Sequence, residues 1–149
     1  NFGTYAVNSM RMEKAYRGWG TELTGEISLV EADMNRFFNL NKKNNFIGSN
    51  ILQEKLQSGV DIKLVYLDVD VDDADARGNE PVYHENKIVG IVTSGSYGFR
   101  VKKSLAFAYV KSNLASVGTE LNIEIQGKKK RAAILTSPAY DPNNQKLKA

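Results

Sequence analysis

Residues 78–110 constrain the fold of this chain more than any other part of its sequence. Two apolar segments lie on either side of Glu85 and Asn86, a position where the chain is expected to turn. A third apolar segment follows the motif TSGS at residues 93–96, whose glycine permits a bulge or a tight bend at a sheet corner. The stretch therefore predicts three successive β-strands.

Similar segments lie on both sides of this stretch. Residues 121–125 alternate apolar and polar side chains, as a half-buried strand does, and Gln126-Gly127 supplies a hairpin turn. The predicted strands are residues 62–71, 81–83, 87–92, 105–110, 121–126 and 132–135. Six short strands separated by turns predict a small antiparallel barrel or sandwich.

Residues 1–59 have a different texture and favour helices. Helix-forming composition over residues 5–17, with glycines at 18 and 20, predicts a first helix. Ser49 and Gly59 are suited to cap a second helix over residues 50–57. Between them we expect a short strand at 36–40 and a loop at 41–45. In the first helix region Tyr5, Met12, Tyr16 and Trp19 recur at roughly helical spacing, and in the second Ile51, Leu52 and Leu56 are expected to face inward.

Composition excludes several classes of function. The chain has 149 residues and no cysteine, so disulfides, thiol catalysis and sulfur-ligated metals are excluded. The longest apolar runs are too short to span a bilayer, and the N-terminus lacks a basic-then-apolar signal segment. We therefore expect a cytoplasmic or organelle-matrix protein. The start without methionine favours a processed or truncated product, and residues 141–149 are expected to be a loose end.

Charged residues are concentrated in two segments. Aspartates crowd residues 68–75, but the spacing lacks the glycine and glutamate of an EF-hand, so we expect a solvated loop, with weak calcium binding as the alternative. Residues 128–131 (KKKR), with Lys102 and Lys103, form a basic cluster. It is expected to keep a hairpin tip soluble; steering an anionic ligand is the alternative. The net charge of +3 does not require nucleic acid or membrane.

No residue of the chain stands out as catalytic, and no metal site is predicted. His84 is the only histidine and is placed at a predicted hairpin tip, without identifiable partners for a triad or a zinc site. The motif TSGSYG at residues 93–98 is flanked by strands, whereas a phosphate-binding loop leads into a helix.

Two blocks of the sequence, TYAVNSMRMEKAYRGWGTE at residues 4–22 and the stretch 78–110, resemble the C-terminal part of the glycine-cleavage T-protein (aminomethyltransferase) family. Within that family they are most similar to the folate-linked C-terminal region of dimethylglycine and sarcosine dehydrogenases. The resemblance implies an α+β fold. Residues 1–59 would be the end of a folate-binding domain, and residues 60–149 a six-stranded Greek-key antiparallel β-barrel.

The resemblance also implies a function: transfer of a one-carbon unit (aminomethyl or methylene) to tetrahydrofolate. In the dehydrogenases an upstream FAD domain oxidises a small N-methyl amine, whereas T-proteins use a lipoyl-borne aminomethyl group. Because the catalytic residues of both belong to upstream domains, this chain alone is expected to be inactive and to complete one wall of the folate cavity.

Two residues are candidates for folate contact. A carboxylate at Glu13 suits the N–H donors of a pterin, although a structural ion pair is the role that we favour from the sequence. Arg36 stands where the family has an aromatic residue that touches folate, and an arginine can stack on a ring or pair with a carboxylate. Val7 replaces a folate-binding arginine of T-proteins, which favours the dehydrogenase branch.

Three other assignments remain open. The chain could belong to a T-protein aminomethyltransferase, bind RNA, or serve only to pack against neighbouring domains. RNA binding is disfavoured because aromatic residues are not interleaved with the basic cluster.

Overall fold

A computed structural model describes residues 1–42 and 46–149 of the chain. Its helices are α1 (Thr4–Glu13) and α2 (Ser49–Ser58). Its strands are β1 (Ile62–Val69), β2 (Pro81–His84), β3 (Lys87–Gly98), β4 (Lys103–Lys111), β5 (Leu121–Ile125) and β6 (Lys128–Leu135). Single 3-10 turns occupy Asn35–Phe37 and Ser112–Leu114.

The six strands form a closed antiparallel barrel in the order β1-β4-β3-β2-β5-β6. Hairpins join β2, β3 and β4, and β1 lies beside β4, which is the strand order of a Greek key. Glu85, Asn86, Gln126 and Gly127 all have positive φ, as two-residue hairpin turns require. The predicted α+β fold with a six-stranded barrel is confirmed.

The alternation of side chains along the strands builds two apolar layers. Val65 and Leu67 of β1 belong to the core that the strands enclose, whereas Leu64 and Tyr66 point the other way. The outer layer joins these residues to Phe107 of β4 and Met12 of α1, which is fully buried. Helix α1 therefore packs on the outside of the barrel.

Strand β3 is longer than predicted and includes the TSGS motif. The ladder between β3 and β4 shifts register between Val92 and Ser94, so the expected bulge is present, but the strand continues through it. Gly95 is needed because a Cβ there would lie 2.3 Å from the carbonyl oxygen of Ala76. The glycine of the motif therefore allows the backbone at Ala76 to pack directly against β3.

Several predictions for the N-terminal region are wrong. Residues 36–40 do not form a strand: Asn35–Phe37 is a 3-10 turn, and in the nearby part of β1 the Leu64 N–H donates instead to the Glu31 carbonyl. Residues 43–45 of the expected loop lie outside the described residues. Ser49 is the first residue of α2 and makes no capping hydrogen bond through its side chain.

The predicted inward face of α2 is also largely wrong. Of the four residues noted at helical spacing in the first region, only Met12 is buried; Tyr5 and Trp19 are more than four-fifths exposed. Ile51 and Leu56 of α2 are exposed as well. The apolar residues at helical spacing thus include one that is buried, Met12. The others are exposed because no element in the described part of the chain packs over them.

The tail is fixed at its start, contrary to the expectation of a loose end. Lys14 Nζ donates to the Asp141 carbonyl (2.8 Å) and to Asn144 Oδ1 (2.7 Å). The Tyr140 N–H donates to the Glu13 carbonyl (2.9 Å). These bonds hold the tail across the C-terminal end of α1.

Candidate functional site

Polar side chains on the inner face of helix α1 form hydrogen bonds with the barrel. Asn8 Nδ2 donates to the Gly95 carbonyl (3.3 Å), and Ser9 Oγ donates to the Tyr97 carbonyl (2.7 Å). Tyr66 Oη donates to the Met12 carbonyl (2.7 Å) in a buried position. The helix and the second half of β3 therefore form one continuous wall.

Glu22 is the centre of a buried polar network beside this wall. It is fully buried, and its Oε2 accepts from Arg11 (3.0 Å), the Gly18 N–H (2.7 Å) and Thr21 (2.9 Å). Its Oε1 accepts from Thr93 (2.7 Å) and Ser94 (2.5 Å) of β3. Glu22 thus joins α1, the turn at residues 18–22 and the barrel.

The Glu22 carboxylate keeps its negative charge because protein donors form hydrogen bonds with both of its oxygens. Burial alone would raise the pKa of this carboxyl, but the hydrogen bonds from Ser94, Gly18 and Thr93, together with the Arg11 charge, outweigh burial and lower it. Glu22 was not predicted as a site residue from the sequence. No short-range pattern marks it, because its partners are up to 72 positions away.

A first cavity, which we call the helix cavity, lies between α1, residues 75–77 and the end of β3. Its volume is about 710 Å³. Its aromatic and apolar walls include Tyr5, Met10, Tyr97 and Phe99, and the rings of Tyr97 and Phe99 meet edge to face at 5.1 Å. Glu13 lines the same cavity.

Glu13 is only 5% exposed, yet it has no cationic partner in the described part of the chain. Its Oε1 accepts from the backbone N–H groups of Arg100 (2.6 Å) and Val101 (3.3 Å), which fixes the turn between β3 and β4. The second oxygen, Oε2, accepts no hydrogen bond from any described residue. One oxygen is therefore structural, and the other remains available to a donor in the cavity.

A second cavity, which we call the edge cavity, lies where the barrel wall is incomplete. Strand β6 pairs with β1 only from Tyr66 onward, so residues 62–65 have no β6 partner. The resulting cavity has a volume of about 420 Å³. Its charged lining residues are Arg17, Asp33, Arg36 and Lys63.

Arg36 is exposed at the edge cavity. Its guanidinium carbon lies 4.8 Å from the ring centroid of Phe37, and it forms no ion pair or hydrogen bond with the described residues. The two predicted site residues, Arg36 and Glu13, thus line different cavities. A single small ligand confined to either cavity would contact only one of them.

The acidic and basic segments noted in the sequence neutralise each other. Lys130 pairs with Asp72 (3.3 Å) and Asp73 (2.9 Å), and Lys128 also pairs with Asp73 (3.3 Å). These exposed pairs join the loop after β1 to β6. The aspartates therefore lie in an exposed loop, as expected, but they pair with lysines of β6. The basic cluster consequently has less unpaired charge with which to bind an anion.

The described residues offer no metal site and no membrane-spanning helix. Over residues 1–42 and 46–149, no group of three or more histidine, cysteine or acidic residues could hold a metal ion. His84 Nδ1 lies 2.8 Å from the Glu120 carbonyl. Within the same residues, no helix has both the length and the apolar character needed to cross a membrane.

Comparisons with known proteins agree on one family. The family model of the glycine cleavage T-protein C-terminal barrel domain matches residues 63–141. Mitochondrial dimethylglycine dehydrogenase of Homo sapiens is 42% identical over 149 residues, covering 99% of this chain and 17% of the relative. An aminomethyltransferase of Rippkaea orientalis is 36% identical over 143 residues, covering 96% of this chain and 38% of the relative.

A solved structure shows the same fold. The glycine cleavage system aminomethyltransferase T from Bartonella henselae superposes with a TM-score of 0.83 at 25% identity, covering 92% of this chain and 38% of that one. The chain therefore spans about a sixth of the dehydrogenase and less than two fifths of the aminomethyltransferases. The resemblance seen in the sequence is confirmed.

Proposed function

This chain belongs to the glycine cleavage T-protein C-terminal barrel family, and from that membership we propose that it is the C-terminal portion of a tetrahydrofolate-dependent one-carbon transfer protein. The parent is of the dimethylglycine or sarcosine dehydrogenase type. Residues 1–59 end its folate-binding domain, and residues 60–149 are its barrel. The chain completes one wall of the folate cavity.

The surface of the chain supports a role inside a larger protein. Ten of the fifteen exposed large apolar residues of the described chain lie between residues 2 and 56, and clustered apolar residues on a surface mark interaction sites. These ten are Phe2, Tyr5, Val7, Met10, Tyr16, Trp19, Phe37, Ile47, Ile51 and Leu56. Upstream domains of the same protein are the partners that we propose for this surface.

The observation that carries the folate proposal is the carboxylate of Glu13. A buried carboxylate with one available oxygen, at the wall of a cavity with aromatic sides, fits the N–H edge and flat ring of a pterin. Tetrahydrofolate, when bound, supplies the nitrogen atoms that accept the one-carbon unit. Glu13 would orient the ring, and Arg36 would contact folate from the edge cavity.

The chemistry of the carbon donor belongs to the rest of the parent. We propose an upstream FAD domain that oxidises a small N-methyl amine, in the cytoplasm or an organelle matrix. The chain itself contributes no catalytic residue and is inactive alone. The human relative's name places that relative in mitochondria.

The second candidate is a T-protein aminomethyltransferase acting on a lipoyl-borne aminomethyl group. It is supported by the match to aminomethyltransferases in sequence and to a solved aminomethyltransferase in fold. The dehydrogenase is favoured by higher identity and by Val7 in place of the T-protein arginine. The basic cluster does not favour nucleic acid as a partner, because Lys128 and Lys130 are already paired with aspartates.

Calorimetric titration of tetrahydrofolate into the chain tests the proposal. Glu13→Gln keeps an acceptor for the turn at residues 100–101 but removes the charge, and Arg36→Ala removes the second candidate contact. Glu54→Gln on the outside of α2 is the charge-matched control. We expect binding that weakens on one or both site substitutions and is unchanged by the control. Equal binding by all four proteins would contradict the assignment of these residues.

A further inference from the structure

We propose that Ser137 is a phosphorylation site, and that the phosphoryl group it receives pairs with Arg36 and Lys63 at the edge cavity. Ser137 and the proline that follows it, Pro138, both line this cavity. Ser137 is exposed, so its hydroxyl is accessible to a modifying enzyme. Negative charge added at this position would therefore meet positive charge that the fold already holds there.

The local sequence is of the kind that proline-directed protein kinases modify. The chain has three prolines, and only Pro138 follows a serine or a threonine. A proline disfavours helical backbone at the residue before it, which leaves that residue extended, as a kinase substrate must be. Residues 136–140 follow β6 and belong to no helix or strand. The tail beyond them joins α1 through Lys14 and the Tyr140 N–H, so it can open without disturbing the barrel ladder.

The edge cavity holds more positive than negative charge. Three cations, Arg17, Arg36 and Lys63, line it together with one carboxylate, Asp33, so two positive charges lack a counter-charge there. The Asp33 carboxylate is divided between Arg17 (3.3 Å) and Lys63 (3.5 Å). A phosphoserine carries a charge of about −1.5 to −2 at pH 7, which matches this excess.

The three cations differ in what they can offer a phosphoryl group. Arg17 donates to three backbone carbonyls and to the Asp33 carboxylate, so its donors are in use. Arg36 forms no ion pair or hydrogen bond with the described residues, and its contact with the Phe37 ring restricts its position. A guanidinium pairs with phosphate oxygens through two parallel hydrogen bonds, and Lys63 adds a point charge.

The modification is a phosphoryl transfer from a nucleoside triphosphate. Ser137 Oγ forms a bond to the γ-phosphorus, the bond from that phosphorus to the bridging oxygen breaks, and the nucleoside diphosphate leaves. The hydroxyl proton passes to a base of the kinase. Because the phosphoryl group would take the Arg36 guanidinium, phosphorylation should weaken folate binding. This effect rests on the proposed function, whereas the site itself does not.

Incubation of the folded 149-residue chain with a proline-directed protein kinase and ATP, followed by peptide mass spectrometry, tests the site. We expect a single phosphoryl group, on Ser137, and no modification of Ser137→Ala. A synthetic peptide of residues 132–143 verifies that the kinase accepts the local sequence. Modification of the peptide without modification of the folded chain would overturn the proposal.

Phosphorus NMR of the modified chain tests the pairing. The second pKa of a phosphoserine is about 6 when unperturbed, and the two cations should lower it by about half a unit or more. Arg36→Gln and Lys63→Gln should each return the pKa toward that value. Lys102→Gln removes the same charge from the turn between β3 and β4 and should leave the pKa lowered. An unshifted pKa, or the same pKa in all three variants, would overturn the pairing.

Calorimetric titration of tetrahydrofolate into the phosphorylated and unphosphorylated chains separates this proposal from the proposed function. Affinity that falls roughly tenfold on phosphorylation supports the regulatory effect, and equal affinity overturns it. No binding by the unphosphorylated chain would contradict the folate assignment and the regulatory effect together. The phosphorylation site would then stand or fall with the kinase and NMR results alone.

Discussion

Glu22 shows how a single buried charge ties the helical segment to the barrel. Each of its oxygens accepts two or three hydrogen bonds, and the donors come from α1, the turn at residues 18–22 and β3. Tyr109 Oη also donates to the Glu22 carbonyl (2.8 Å). Such a carboxylate is stabilising only while all its partners are present, because a buried group left without a partner is costly.

Glu22→Gln should lower the free energy of unfolding by about 2–3 kcal/mol, since Arg11 loses its partner in a mostly buried position. Because the folded-state pKa of Glu22 is lowered, its contribution is complete above the unfolded-state pKa of about 4.3 and disappears as pH falls toward the folded-state value. The free energy of unfolding of wild type and variant, measured in urea at several pH values from about 2 to about 7, tests both effects.

Glu26→Gln is the matched control for this measurement, because Glu26 is exposed and lies four positions along the same loop. It should change the free energy of unfolding by less than about 0.5 kcal/mol. A difference between wild type and Glu22→Gln that stays constant down to the lowest pH would contradict a buried, ionised Glu22.

At the scale of elements, the strands were predictable and the helix faces were not. The barrel strands carry their own signals, because alternation and turn residues such as Asn86 and Gly127 act locally. Tyr5 and Trp19 are apolar at helical spacing, but burial requires a partner surface, and the described chain provides none. The extension of β3 through the TSGS motif was missed because its pairing with β4 continues past the register shift, and because the close approach of Ala76 to Gly95 comes from elsewhere in the sequence.

That contact predicts the effect of one methyl group. Gly95→Ala would place a Cβ 2.3 Å from the Ala76 oxygen, so either β3 or the segment at residue 76 must move. We expect a loss of about 2–3 kcal/mol in the free energy of unfolding, measured by urea denaturation. Gly25→Ala, which meets nothing within 4 Å, should have little effect. Equal stability of the two variants would show that β3 does not need the glycine.

At the scale of the whole molecule, the chain combines a closed barrel with a helical segment whose outer side is apolar. The family and the barrel were predictable from residues 4–22 and 78–110. The separation of Glu13 from Arg36 was not, because it depends on how α1 and residues 35–37 lie around the barrel. The charge of the edge cavity was also hidden, since Arg36 and Lys63 belong to distant parts of the sequence.

The affinity of the longer parent protein for tetrahydrofolate, measured with and without residues 1–149, tests the central claim most directly. If this chain completes the folate cavity, its removal should weaken binding by at least about tenfold, or 1.4 kcal/mol. The remaining domains must retain their fold, which circular dichroism verifies. An unchanged dissociation constant in a folded remainder would contradict the claim.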